Sequence, residues 1–145
     1  MITGVRHTGI VVKDIDSALD FWVNVLEFDV VSNQIETGKF IDNLLGLDTV
    51  TVQTIKLIAK DKTMIELLHF KSHPSDNLWD GTPYSNGLTH VALNTLDIGE
   101  VTKRLSNLGY LPFNAHETSP DGKFKVCYVQ AFEGLLIELV ETLTT

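Results

Sequence analysis

A single cysteine, Cys127, stands in the 145 residues, so no internal disulfide can brace the chain. It lies in an apolar, strand-like run, the setting of a buried inert thiol rather than of a nucleophile. Basic residues are also scarce. Eleven Lys and Arg against nineteen Asp and Glu leave a net charge of −8, and the lysines are scattered rather than gathered into a stripe. The phosphate backbone of a nucleic acid finds no electrostatic footprint on such a chain. No run approaches the roughly 18 apolar residues that a bilayer-spanning helix needs. The N-terminus enters a strand pattern almost at once, without a charged-then-apolar leader, so neither a membrane partner nor export is expected and the cytoplasm is the expected location. Low-complexity stretches are missing as well, and an apolar fraction of 43% with 21% charged residues suits a chain that folds throughout.

What the chain does contain is a repeat. His7 in VRHTGIVVKD and His90 in LTHVALNTLD sit in near-matching phrases, and each is followed by an IEL segment, carrying Glu66 in MIELL and Glu138 in LIELV. Residues 5–12 alternate in β fashion, after which Asp14 precedes Ile15, Ala18, Leu19, Trp22 and Val25 on one face of a helix. From residue 88 the plan returns. A strand runs to about Asn94, Asp97 caps a helix with Glu100 three residues on, Ile98, Val101, Leu105 and Leu108 form one stripe, and Gly109 ends it. One offset, 83 residues, relates His7 to His90, Asp14 to Asp97 and Ile15 to Ile98. Further β-like runs follow at about 27–32, 50–58 and 63–70, then at about 110–113, 124–130 and 134–140. The expected class is therefore α+β, two βαβββ modules at about 1–70 and 88–145. Residues 33–49 read as irregular, and 71–87 as a linker that folds over one edge of a pocket.

Alternation on a strand puts Glu66 on one face with Met64, Leu68 and Phe70, and Glu138 with Leu136 and Val140. A carboxylate among apolar neighbours is costly to bury alone, so it calls for a wet face or a strong partner. A metal ion is such a partner, and the neutral imidazoles of His7 and His90 are suitable ligands for Zn, Ni, Co, Mn or Fe in the divalent state. Taken singly, a strand His is more often hydrogen-bonded in a core and a strand Glu more often solvated. The recurrence of both at equivalent places in two halves favours one divalent ion held by His7, Glu66, His90 and Glu138. His69 points to the opposite face from Glu66, and His73 and His116 lie in loop-like sequence, so all three are expected to be structural or exposed.

The phrases HTGIVVKDIDSALDFW, MIELL, THVAL and LIELVE make the sequence resemble the vicinal oxygen chelate superfamily over nearly its whole length. That family includes glyoxalase I, methylmalonyl-CoA epimerase, extradiol dioxygenases and the bleomycin and fosfomycin resistance proteins. The resemblance implies paired βαβββ modules whose mixed sheets curve into a metal cleft, one ligand coming from each of strands 1, 4, 5 and 8. It also implies a homodimer acting on a small molecule. A His, Glu, His, Glu set looks most like bacterial-type glyoxalase I, but Val11 and Phe70 stand where the glutathione-binding Arg and Asn are usual. Glu27 replaces the Gly of an LGF or LGM turn, and Phe132-Glu133 stands where DPDG is usual. Segments 40–47 and 72–74 are similar to a glyoxalase-like subgroup without a firm assignment.

The resemblance implies a metal-dependent lyase or isomerase of glyoxalase type, in which an α-hydroxycarbonyl binds through adjacent oxygens and Glu138, or by pseudo-symmetry Glu66, moves the α-proton through an enediolate. Three alternatives stand beside it. An extradiol dioxygenase would use His7, His90 and Glu138 and leave Glu66 as one carboxylate too many. An acyl-CoA epimerase would take a Gln at position 66 and a further catalytic Glu, for which Glu36 is the nearest candidate. A non-catalytic binder of a drug or metabolite would not need the metal ligands.

Overall fold

Two units, Met1–Asn77 and Leu78–Thr145, divide the chain in the computed structural model, in which residues 1–144 are described. Each carries a four-stranded mixed sheet, as the α+β reading requires. In the first, β1 (Thr8–Val11), β2 (Asp29–Thr37), β3 (Thr51–Ile58) and β4 (Met64–Phe70) lie in the order β1-β4-β3-β2. β1 runs parallel to β4 and the other neighbours are antiparallel.

The helix after β1 begins where Asp14 accepts hydrogen bonds from Ser17 N at 3.0 Å and Ser17 Oγ at 2.9 Å. This α1 (Ile15–Leu19) passes into a π-helical turn at Asp20–Val25, and Ala18, Phe21 and Trp22 are buried along it. Trp22 stands edge-on to both Phe21 and Phe28. On the sheet, Ile55, Leu57, Ile65 and Leu67 share one face and are fully buried. Each such side chain contributes about 1.5–3 kcal/mol through area removed from water.

Residues 33–49 are more ordered than their sequence implies. β2 continues to Thr37, and Gly38, at φ 97°, turns the chain into α2 (Lys39–Leu45). Ile41 of α2 packs with Val50, Val52, Leu68 and Phe70, while the Asp42 carboxylate accepts from Val50 N at 2.7 Å and Thr49 N at 3.2 Å. One apolar residue and one acid fasten a short helix that has no extended amphipathic pattern.

The second unit orders β5 (His90–Thr95), β6 (Glu117–Thr118), β7 (Phe124–Gln130) and β8 (Leu136–Thr142) as β5-β8-β7-β6, with β5 parallel to β8. α3 (Ile98–Asn107) starts on Asp97, whose side chain accepts from Glu100 N at 2.9 Å. Glu100 does not reach back as a full capping box would. Its carboxylate takes Arg104 Nε at 3.0 Å, and Thr95 Oγ1 accepts from Asp97 N instead. Gly109, at φ 86°, turns the chain out of the helix. The strand expected at 110–113 is absent. Pro112 makes only an isolated bridge to Val129 because it has no N–H for a ladder, and the edge strand forms later, at Glu117–Thr118. No helix among the described residues is long and apolar enough to cross a membrane.

Candidate metal centre

In both units the sheet register brings a His at the entrance of one strand to the side of a Glu on its parallel neighbour. Gly9 of β1 lies opposite Glu66 of β4, and Ala92 of β5 lies opposite Glu138 of β8. Two residues before each of these small residues comes the histidine, on the same face by strand alternation. His7 precedes β1 and His90 opens β5, so both stand at strand entrances rather than mid-strand. Gly9 and Ala92 leave open space beside each carboxylate: a Cβ on Gly9 would meet only Leu68 Cδ1, at 3.5 Å.

His7 Nε2 lies 3.6 Å from Glu66 Oε1, and His90 Nε2 lies 3.2 Å from Glu138 Oε2. The carboxylate side chains are 15% and 24% exposed and the imidazoles 31% and 32%, so all four are partly withdrawn from water without being sealed from it. Among the described residues, no three or more His, Cys, Asp or Glu side chains are grouped so that they could hold one metal ion, and the donors come as one pair per unit. Two donors about 2.0–2.2 Å from one ion, at octahedral or tetrahedral angles, stand roughly 2.9–3.4 Å apart. The pair distances fall in or within a few tenths of an ångström of that range. Both pairs therefore fit a divalent cation without rearrangement of the strands.

The pairs differ in how they are supported. Thr89 Oγ1 lies 2.9 Å from His90 Nδ1, a hydrogen bond that orients the ring with Nε2 toward Glu138. His7 follows Arg6 instead of a threonine, and its Nδ1 is buried with no hydrogen-bond partner among the described residues. At 3.6 Å the opposite ring nitrogen is too far from Glu66 for a hydrogen bond. The unpartnered, buried Nδ1 is costly, whereas Nε2 lies on the partly exposed side toward Glu66, where a cation would be held.

The structure adds a residue that sequence reasoning passed over. Tyr128 of β7 lies directly across from Glu138, and its hydroxyl stands 3.1 Å from His90 Nε2 and 3.5 Å from Glu138 Oε2. Burial, then the Glu138 charge and the hydrogen bond to it, push the phenol above its ordinary value, so near neutral pH Tyr128 is a donor. The other histidines are engaged elsewhere. His69 Nδ1 donates to the Val12 carbonyl at 3.2 Å on the far face, His73 Nδ1 meets Ser72 Oγ at 2.7 Å, and His116 is exposed. Glu36 accepts from Thr54 Oγ1 at 2.9 Å. Cys127 is buried, and burial raises its thiol.

The turns named as departures carry backbone strain. Glu27 has φ 61° and Glu133 φ 50°, the left-handed region in which glycine costs least. The linker runs against one of them. A Cβ on Gly134 would come within 2.2 Å of the Trp79 carbonyl oxygen.

Solved structures share this architecture. A glyoxalase family protein from Bacillus cereus is 24% identical, with a TM-score of 0.89 over 99% of this chain and 97% of its own. One from Enterococcus faecalis is 19% identical, with a TM-score of 0.67 over 95% and 97%. The fosfomycin resistance protein FosX of Listeria monocytogenes, in complex with Mn(II) and sulfate, is 16% identical, with a TM-score of 0.65 over 99% and 95%. No curated protein matches the chain. The model of the glyoxalase/bleomycin resistance protein/dioxygenase superfamily matches residues 6–128, and with the two βαβββ units and their paired donors the chain belongs to that superfamily.

Proposed function

We propose that this protein is a metal-dependent lyase or isomerase of glyoxalase type, in which His7, Glu66, His90 and Glu138 hold one divalent cation and a small α-hydroxycarbonyl compound is the substrate. The observation that carries the reading is the equivalent placing of two half-shielded His–Glu pairs, each with a donor separation that suits a divalent ion. FosX, a protein of the same fold, binds Mn(II), which supports a divalent ion on this scaffold. When bound, the ion supplies Lewis-acid polarisation of the substrate oxygens and so acidifies the C–H bond next to the carbonyl.

The side chains then divide the remaining work. Glu138, 24% exposed and flanked by the small Ala92, accepts the proton from the α-carbon and returns it to the neighbouring carbon while the hydroxyl proton passes to the former carbonyl oxygen, and the two transfers together isomerise the substrate. Tyr128 donates a hydrogen bond to the substrate oxygen and keeps its own proton near neutral pH. Thr89 fixes the orientation of His90. The protein works as a homodimer, for which light scattering should read twice the chain mass.

Elemental analysis of protein purified without added metal identifies the ion. A panel of α-hydroxyketones in D2O then reports exchange of the α-hydrogen by NMR. Wild-type protein should exchange it and Glu138→Gln should not, while circular dichroism shows that the variant is folded. Undiminished exchange in that variant removes Glu138 as the base. Oxygen uptake with a catechol, or stoichiometric binding without exchange, would replace the lyase reading with a dioxygenase or a binding protein.

A further inference from the structure

The Glu66 face of the first sheet carries more than the His7–Glu66 pair. By cross-strand register, Lys56 of β3 stands directly opposite Glu66 on one side and Ser32 of β2 on the other, with Gln34 and Thr54 paired in the next row. The bland account of Lys56 is a sheet-stabilising ion pair with Glu66. The second unit shows what such a pair looks like: Lys125 and Glu141, opposite each other on β7 and β8, close to 3.6 Å. Lys56 and Glu66 share that strand relation but form no ion pair. The carboxylate turns to His7, and the half-buried Lys56 side chain has neither an ion pair nor a hydrogen bond among the described residues. Glu36, the other acid on this face, is held by Thr54. At the place equivalent to Lys56 the second unit has Tyr128, so the duplicated scaffold carries its cation on one side only.

We infer that Lys56 is a specificity-determining residue that receives a carboxylate of the substrate, with Ser32 and Gln34 as neighbouring polar groups. The substrate is thereby narrowed to a small α-hydroxycarbonyl compound with a second, anionic end. This rests on the proposed metal site at Glu66. One ammonium matches one monoanionic carboxylate, and a dianionic phosphate would keep an uncompensated charge beside Glu66 and Glu36. Side chains directly opposite on a sheet have Cβ atoms roughly 4.5–5.5 Å apart. The anionic end therefore falls only a few bonds from the atoms that the ion would hold.

Lactate and malate share an α-hydroxycarboxylate chelate and differ by one carboxylate, so they separate the two questions. Calorimetric titration of the Mn(II)-loaded protein should find malate about tenfold tighter than lactate, the size of one charge-assisted contact. Lys56→Arg should keep that preference and Lys56→Gln should erase it, with lactate binding unaltered. Should Lys56→Gln fail to fold, the wild-type preference must still shrink as salt is raised. Equal binding of the two acids by wild type, or a preference that survives in Lys56→Gln, overturns the role of Lys56 and leaves the metal reading standing. Mn(II) uptake with no binding of lactate overturns chelation at the ion, and the inference falls with it.

Discussion

Replacing Glu66 by Gln should have opposite consequences with and without metal. The carboxylate is 15% exposed, its nearest charged or basic neighbour is His7 Nε2 at 3.6 Å, and it makes no hydrogen bond among the described residues. A partly desolvated charge so poorly satisfied costs stability, while a neutral amide of the same shape removes that cost and gives up a weak cross-strand attraction to Lys56 of about 0.2–1 kcal/mol. The terms nearly cancel, so metal-free Glu66→Gln should lie within about 1 kcal/mol of wild type, on the stabilising side if desolvation dominates. Metal reverses the order. At a free metal concentration about a hundred times the dissociation constant, wild type gains about 2.7 kcal/mol by mass action; a hundredfold loss of affinity leaves the variant about 0.4 kcal/mol. Urea unfolding in EDTA and in Mn(II) or Zn(II) measures all four values. Equal stabilisation of both proteins by metal, or a metal-free variant weaker by much more than about 1 kcal/mol, would show that Glu66 holds the sheet and not an ion.

Glu27→Gly should raise stability by about 0.5–1 kcal/mol in denaturant unfolding, because it relieves a left-handed φ of 61°, while the pair it gives up with Lys60, at 3.7 Å, is exposed. Gly134→Ala should do the reverse and lower stability by about 2 kcal/mol or more, since φ is 82° and the new Cβ meets the Trp79 carbonyl; unfolding with the wild-type midpoint would refute that packing. Thermal stability against pH should show a plateau with two edges. Hydrogen bonds from Ser17 to Asp14, from Thr63 to Asp61, from Lys13 to Asp76 and from Ser119 to Asp121 lower these carboxyls, so their contribution is present above about pH 4 and fades as pH falls through the lowered values. Burial raises Cys127 and, with the Glu133 charge second, Tyr110, so theirs is present below about pH 9–10 and fades above it.

Much of the fold was legible because periodicity, caps and turns act locally. Asp14 and Asp97 cap the helices that their spacing implied, and the strands carrying Glu66 and Glu138 lie within a residue or two of their expected bounds. α2 was hidden because its stability comes from Ile41 packing on Val52 of β3 and Leu68 and Phe70 of β4, and from Asp42 holding the backbone just before β3, which no hydrophobic period records. The edge strand shifted because Pro112 removes a donor where apolar alternation alone would place a ladder. At the candidate centre, His and Glu were found by recurrence. Tyr128 and Lys56 were not, since each is defined by which residue faces it across two strands, and register is a tertiary property.

The same two residues explain why the repeat matters chemically. The histidines are separated by 83 residues but the glutamates by only 72, and the difference falls where the first unit inserts α2 before β3 and the second has a short edge strand. Both units nevertheless return a Glu beside a small residue on the parallel neighbour strand, so the donor geometry has survived the divergence of what surrounds it. The supports have diverged: Thr89 and Tyr128 hold His90 and Glu138, while His7 is unsatisfied at Nδ1 and Glu66 faces a lysine that does not pair with it. On the proposed reading, each unit brings a different neighbour to its own Glu: the neutral donor Tyr128 opposite Glu138 in the second, the cation Lys56 opposite Glu66 in the first.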